Sequence, residues 1–252
     1  MPADRTEALE KNLHPSAESR LWQIDWLRGF TVILMFFYHL VFDLIKIIKL
    51  SPFVGDWFFV FGPDLIGGIF LFASGLSSFA RTLKATPSWR SSFKYAGRVF
   101  IWGAVLSAAS YFYSPKTIIV FGILQCIAFS IILGTPFLRV KILPLVSIAL
   151  AVIVAGYVFE HSSFYLTAIQ WVSAQCLGGR RMMDFFWIIP WFGFYLLGVA
   201  FGKSSIFEKI RKKTIFRPYC KPIVFLGRHS LAIYIVHQPI LLGILFLVFR
   251  RF

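Results

Sequence analysis

The sequence predicts an all-α polytopic membrane protein, a bundle of about seven transmembrane helices with its N-terminus in the cytoplasm. Composition is the first observation: of 252 residues, 58% are hydrophobic and only 15% charged, with 30 phenylalanines and a mean hydropathy of +0.74. A soluble chain carries about a quarter charged residues and under half apolar ones. Second, charge-free runs recur at 65–80, 99–115, 117–138, 142–159, 185–202 and 230–249. Each approaches the roughly 20 residues that a helix needs to cross a hydrocarbon core of about 30 Å. Third, the basic residues are segregated between alternate connections. Together these exclude a soluble enzyme, a disulfide scaffold and a disordered chain. The apolar runs lack the alternation of barrel strands, so helices remain the way to satisfy the backbone in lipid.

Taken in order, residues 1–20 are polar and mixed in charge, lack a cleavage site and read as a cytoplasmic tail. Residues 21–252 form the transmembrane domain. Its spans are expected at 28–48, 57–80, 95–114, 117–137, 141–160, 185–203 and 225–249. The connection 161–184, with Phe164, Tyr165 and Trp171, suits a short helix lying in the interface. With the N-terminus inside, 19 Lys and Arg fall on the cytoplasmic side and 7 on the outer side, leaving the C-terminus outside. The formal charge of +15 would suggest nucleic acid in a soluble protein. Here cytoplasmic enrichment of Lys and Arg accounts for it, and no nucleic-acid partner is called for.

Cys126, Cys176 and Cys220 stand in different segments without metal or redox spacing, so no metal is expected. No Walker A, haem-attachment or dinucleotide-binding glycine pattern is present. The chemistry must lie in polar residues that a bilayer tolerates poorly, since a carboxylate near its centre costs at least about 2.5 kcal/mol. Asp43, Asp56, Asp64, Glu160 and Asp184 all fall toward the outer side. His39 and Asp43, four residues apart on the first span, share a helix face and are expected to hydrogen-bond. His39 stands roughly 16 Å above Arg28, and His237 roughly 13 Å above Arg228 on the last span, so the two reach similar depths.

The His39–Asp43 pair supports three readings: interhelical glue, general-base catalysis, or a proton pathway. His237 beside Gln238 and Pro239 reads as a kink cap or a site residue, and Asp64 after Pro63 as a helix N-cap or a catalytic group. Asp25 and Arg28, three residues apart, read as an ion pair at a helix entrance. The basic loops 81–98 and 203–228 suit lipid headgroups or a phosphorylated cofactor.

An ordered set of motifs resembles the catalytic module of heparan-α-glucosaminide N-acetyltransferase and its bacterial membrane relatives. It opens with Ile24-Asp25-Trp26-Leu27-Arg28-Gly29-Phe30 and His39-Leu40-Val41-Phe42-Asp43. Asp64-Leu65, Phe70, Phe72, Gly75 and Ser77 follow, then Gly122-Ile123-Leu124-Gln125, and Asp184-Phe185 with Pro190-Trp191-Phe192-Gly193. Leu226-Gly227-Arg228-His229-Ser230-Leu231, Tyr234 and His237-Gln238-Pro239 close it. The resemblance implies transfer of acetyl from cytoplasmic acetyl-CoA to the amino group of a sugar or glycan on the far side of the membrane. It places the chain in the bilayer, in a bacterial cytoplasmic membrane, and leaves a homodimer open.

Read with it, His39, Asp43, Asp64 and His237 are the catalytic candidates, and Arg28, Arg98, Arg228 and Ser230 the candidates for holding the donor. Asp184 and Trp191 are those for the acceptor. The match departs at the loop Lys49 to Trp57, which contains no His where the lysosomal enzyme has its catalytic one. The other readings are a proton-coupled exporter or carrier of an envelope metabolite and a noncatalytic scaffold.

Overall fold

The structure, a computed structural model, describes residues 21–50, 54–113, 117–163, 167, 181–182, 184–212 and 221–249. The tail 1–20 and most of the connection 161–184, with Phe164, Tyr165, Trp171 and Cys176, lie outside the described residues, as does Cys220.

The described residues are helical almost throughout. Helix α1 (Trp22–Phe42) carries Asp25 in its first turn, where a carboxylate suits the positive helix end, and continues as a π-helical turn over Asp43–Ile47. Helix α2 (Asp56–Thr82) is 27 residues long. Helix α3 (Trp89–Tyr113) starts where Ser88 Oγ accepts a hydrogen bond from Ser91 N at 3.2 Å. Helix α4 (Ile123–Leu133) leads into a 3-10 turn at Pro136–Arg139, and α5 (Ile142–Glu160) follows. The last four helices are α6 (Ile188–Gly202), α7 (Ser205–Lys212), α8 (Lys221–Arg228) and α9 (Ser230–Phe249).

Among the described residues, four helical stretches are long and apolar enough to cross a membrane: Trp22–Ile47, Asp56–Thr82, Ile142–Glu160 and Ser230–Phe249. The spans expected at 117–137 and 185–203 contain shorter helices. The 11 residues of α4 rise about 17 Å and the 15 of α6 about 23 Å, both less than the hydrocarbon core. Ile189 interrupts α6 with extended backbone angles before its cis bond to Pro190, and an extended strand precedes α4. That strand, β1 (Thr117–Ile118), pairs in parallel with β2 (Arg181–Met182), an element with no counterpart in the hydropathy pattern. The span expected at 225–249 divides at His229 into α8 and α9.

Helix α2 and helix α6 form the centre, with α5 packed on α6, α1 on α2, α8 and α9 against α1, and α4 against α3. At two of the crossings, paired glycines bring each helix against a carbonyl of the other. A Cβ on Gly75 would overlap the Tyr195 carbonyl, and one on Gly198 the Phe72 carbonyl, so α2 and α6 touch through reciprocal glycines. Gly29 against the Ile223 carbonyl and Gly227 against the Asp25 carbonyl do the same for α1 and α8. Leu71, Ile131, Leu145, Tyr195, Leu196 and Val199 fill the core around these contacts. The outer faces are apolar too: Trp57, Phe61, Val154, Val158 and Leu247 stay exposed, as on a surface solvated by lipid. The protein is an integral membrane protein.

Candidate active site

Five helices surround a cavity of about 270 Å3. α1 contributes Arg28, α2 Phe70 and Ser74, α3 Tyr95 and Arg98, α4 Ile123, Leu124 and Ile127, and α9 Ser230 and Tyr234. One wall is thus cationic and hydroxylic, the other apolar. Arg28 points across the bundle: its Nη2 donates to Ser77 Oγ at 2.9 Å and to Tyr95 OH at 3.2 Å. Asp25 and Arg28 stand within electrostatic range at the helix entrance, as expected of the pair. Asp25, buried at 2% exposure, also meets Arg228 Nε at 3.6 Å, a contact from the far helix α8. Arg228 therefore ties α8 to α1, while Arg28, Arg98 and Ser230 line the cavity.

At Tyr234 the cavity meets two further groups. The Tyr234 hydroxyl donates to Asp184 Oδ2 at 3.3 Å, and its ring lies 5.7 Å from that of His237. His237 packs against His39 with ring centroids 4.8 Å apart, so the two helix-borne histidines meet, as their matching depths predict. His237 is buried, and its Nδ1 lies 2.7 Å from the Tyr234 carbonyl. A proton on Nδ1 satisfies that carbonyl and leaves Nε2, buried without a partner, with a free lone pair.

The expected His39–Asp43 hydrogen bond is replaced by another. Gln238 Nε2 donates to both Asp43 oxygens, at 3.1 and 3.0 Å, and His39 Nδ1 has no partner. Shared helix face permits an i,i+4 contact but does not enforce it. Here Asp43 opens the π-helical turn, and the competing donor on α9 satisfies both its oxygens. Sequence reasoning passes over Gln238 beside the more conspicuous His237, although its neighbour's depth places it opposite Asp43. It passes over Tyr95 as well, which stands one turn before Arg98 and faces the same way.

Asp64 is exposed in the interior of α2, two turns after its start, which removes the N-cap reading. It lies within electrostatic range of Tyr38 and Glu160, and Asp184 within range of Tyr38. Asp184 is solvent-exposed, with the Tyr234 hydroxyl and the Ile123 backbone against its carboxyl. Burial pushes its acid up to about 6 against the opposing hydrogen bonds from Tyr234 and the Ile123 backbone. Trp191 packs between Phe186 and Phe194 in the core, away from the cavity lining.

The arrangement offers a cationic chamber, an apolar wall, and an imidazole lone pair one aromatic ring beyond it, flanked by carboxylates. Such a site can hold an anionic donor and remove a proton from a nucleophile. Comparisons with curated proteins and with solved structures give no match. The family described as heparan-alpha-glucosaminide N-acetyltransferase, catalytic, matches residues 20–239, a span that contains every residue of this site. The chain belongs to that family, whose members imply a membrane N-acetyltransferase activity.

Proposed function

We propose that the protein transfers acetyl from acetyl-CoA, entering from the cytoplasm, to an amino group of a sugar on the outer side. The observation that carries this reading is the continuity from Arg28, Arg98 and Ser230 through Tyr234 to the His237–His39 pair. The chamber suits the donor: guanidinium groups match phosphate oxygens, and Val99, Ile123, Leu124 and Ile127 suit an aliphatic thioester arm. In this reading about seven segments cross, with the N-terminus inside. The asymmetry of 19 basic residues to 7 supports that orientation.

An ammonium is no nucleophile. His237 Nε2 accepts a proton from the acceptor, whose nitrogen then attacks the thioester carbonyl. As the C–N bond forms and the C–S bond breaks, the thiolate leaves and takes up a proton. His39, in ring contact with His237, confines that imidazole on the side away from Tyr234. Asp64, Glu160 and Asp184 give the acceptor's entrance a negative potential suited to a cation.

The test is transfer of labelled acetyl from acetyl-CoA to glucosamine-type acceptors by the purified protein. His237→Ala is expected to lose about 10²–10⁴-fold in kcat, the usual contribution of a positioned base. His39→Ala is expected to lose less. Full activity in His237→Ala would remove it as the base.

A further inference from the structure

A second cavity, of about 240 Å3, lies on the connection between α2 and α3. Arg81 and Lys84 face it with the hydroxyl residues Ser78, Thr82, Ser88 and Ser91, and none of its lining residues is acidic. Cations with hydroxyl donors at the start of a 25-residue helix form the chemistry that recognises phosphate.

The site is also built in advance. Arg81 Nη2 donates to Ser78 Oγ at 2.9 Å and its guanidinium lies 4.3 Å over the Tyr95 ring, which fixes its plane. Its Nε is buried without a partner. Such a donor costs free energy until an acceptor meets it, so the fold holds a guanidinium with capacity left over. The loop around it is pinned where Arg139 Nη2 donates to the Pro87 carbonyl at 3.4 Å and Ser88 caps α3. Tyr95 is the wall between the two cavities: Arg81 covers its ring, and Arg28 donates to its hydroxyl from the chamber side.

Size points the same way. The chamber's volume of about 270 Å3 falls below the roughly 300–1,000 Å3 of small-molecule sites. It takes an acyl-bearing arm with the diphosphate that Arg28 and Arg98 suit, and the sugar phosphate of a nucleotide thioester is left to be held outside it.

We propose that the Arg81–Lys84 cavity binds an anionic phosphate ester, either the sugar phosphate of a nucleotide thioester or the phosphate of an acidic lipid headgroup. The first source rests on the transferase reading; the phosphate chemistry does not.

The experiment uses the full chain with two probes: adenosine 3′,5′-bisphosphate by calorimetry in neutral detergent, and nanodiscs of phosphatidylglycerol against phosphatidylcholine by thermal unfolding. Variants are Arg81→Gln, Arg81→Lys and Lys84→Gln. Lys84 is exposed, so its replacement leaves the Arg81–Tyr95 stack intact if Arg81→Gln fails to fold. Bisphosphate binding that weakens about tenfold or more in both Gln variants, and less in Arg81→Lys, supports the site with a soluble ligand. Stabilisation by phosphatidylglycerol alone, lost in Lys84→Gln, supports it with a headgroup. Equal responses of wild type and Lys84→Gln to both probes overturn it. Bisphosphate binding in a protein that transfers no acetyl would defeat the transferase reading and leave this site standing.

Discussion

Asp43 is fully buried, and both its oxygens accept from one amide, that of Gln238 on the last helix. A buried carboxylate is tolerated only when its lone pairs are answered, so removing the donor costs more than the hydrogen bonds are worth in water. Gln238→Leu is expected to destabilise the protein by about 1–3 kcal/mol, the cost of an orphaned buried polar group. Asp43→Asn, whose amide oxygen still accepts from Gln238, should lose less. Denaturation of both variants in one detergent decides it, and equal losses would show that the pair carries no net hydrogen bonding. Asp184 makes the complementary point through its proton. Its acid is raised from an ordinary 3.8 to about 6, so folding favours the protonated form. The stabilisation from this group is complete below about pH 4 and is lost as pH rises through about 6. Asp184→Asn cannot ionise, so the melting temperature of wild type relative to this variant should fall between about pH 4 and about pH 7. A constant difference across that range would contradict the assignment.

Helices in this bundle meet where a side chain would not fit. Gly75 and Gly198 bring the α2 and α6 backbones into contact, and any Cβ at either position collides with a carbonyl rather than with a movable side chain. Gly75→Ala is therefore expected to cost at least the roughly 1–3 kcal/mol typical of overpacking, which lowers the melting temperature by several degrees in a chain of this size. Gly97, in α3, faces open space: a methyl there would meet nothing within 4 Å. Gly97→Ala should be neutral or gain up to about 1 kcal/mol through helix propensity. Thermal unfolding of the two variants side by side separates packing from propensity. The same contacts explain how much of the elements was readable. Among the described residues, hydropathy located the four helices long and apolar enough to cross, because burial in lipid is a property of composition, while the expected span 95–114 falls in α3, which is not one of them. It overran the ends of α4 and α6, because Ile119, Val120, Phe121 and Ile189 are as apolar in extended backbone as in a helix. The break at His229 was hidden for a related reason: it serves the crossing of α8 on α1, which no local pattern announces. At the site, single residues were legible from the cost of burying them. Their partners were not, since Asp43–Gln238 and Asp25–Arg228 join residues about 200 positions apart.

At the scale of the whole molecule, the proposed transfer requires two ends of one bundle to face different compartments. The chamber's arginines and the Arg81–Lys84 loop stand toward one end, and Asp184 and the carboxylates in range of Tyr38 toward the other. Helix α2 separates them: its 27 residues rise about 40 Å, more than the hydrocarbon thickness and enough for its flanking loops to reach opposite faces of a bilayer. Lys49 precedes it, Lys84 follows it, and Lys212 ends the basic helix α7. All three are exposed. With Cys176 and Cys220 replaced by serine and Cys126 buried, a single cysteine at each of these positions reports its side. Lys49→Cys is expected to react with a membrane-impermeant maleimide in intact cells. Lys84→Cys and Lys212→Cys should react only after permeabilisation. Reaction of positions 49 and 84 from the same side would mean that α2 does not cross, and the donor and acceptor ends would lose their separation. Reaction in the reverse sense would keep the crossing but turn the basic face outward, against cytoplasmic enrichment of Lys and Arg and away from a cytoplasmic acyl donor.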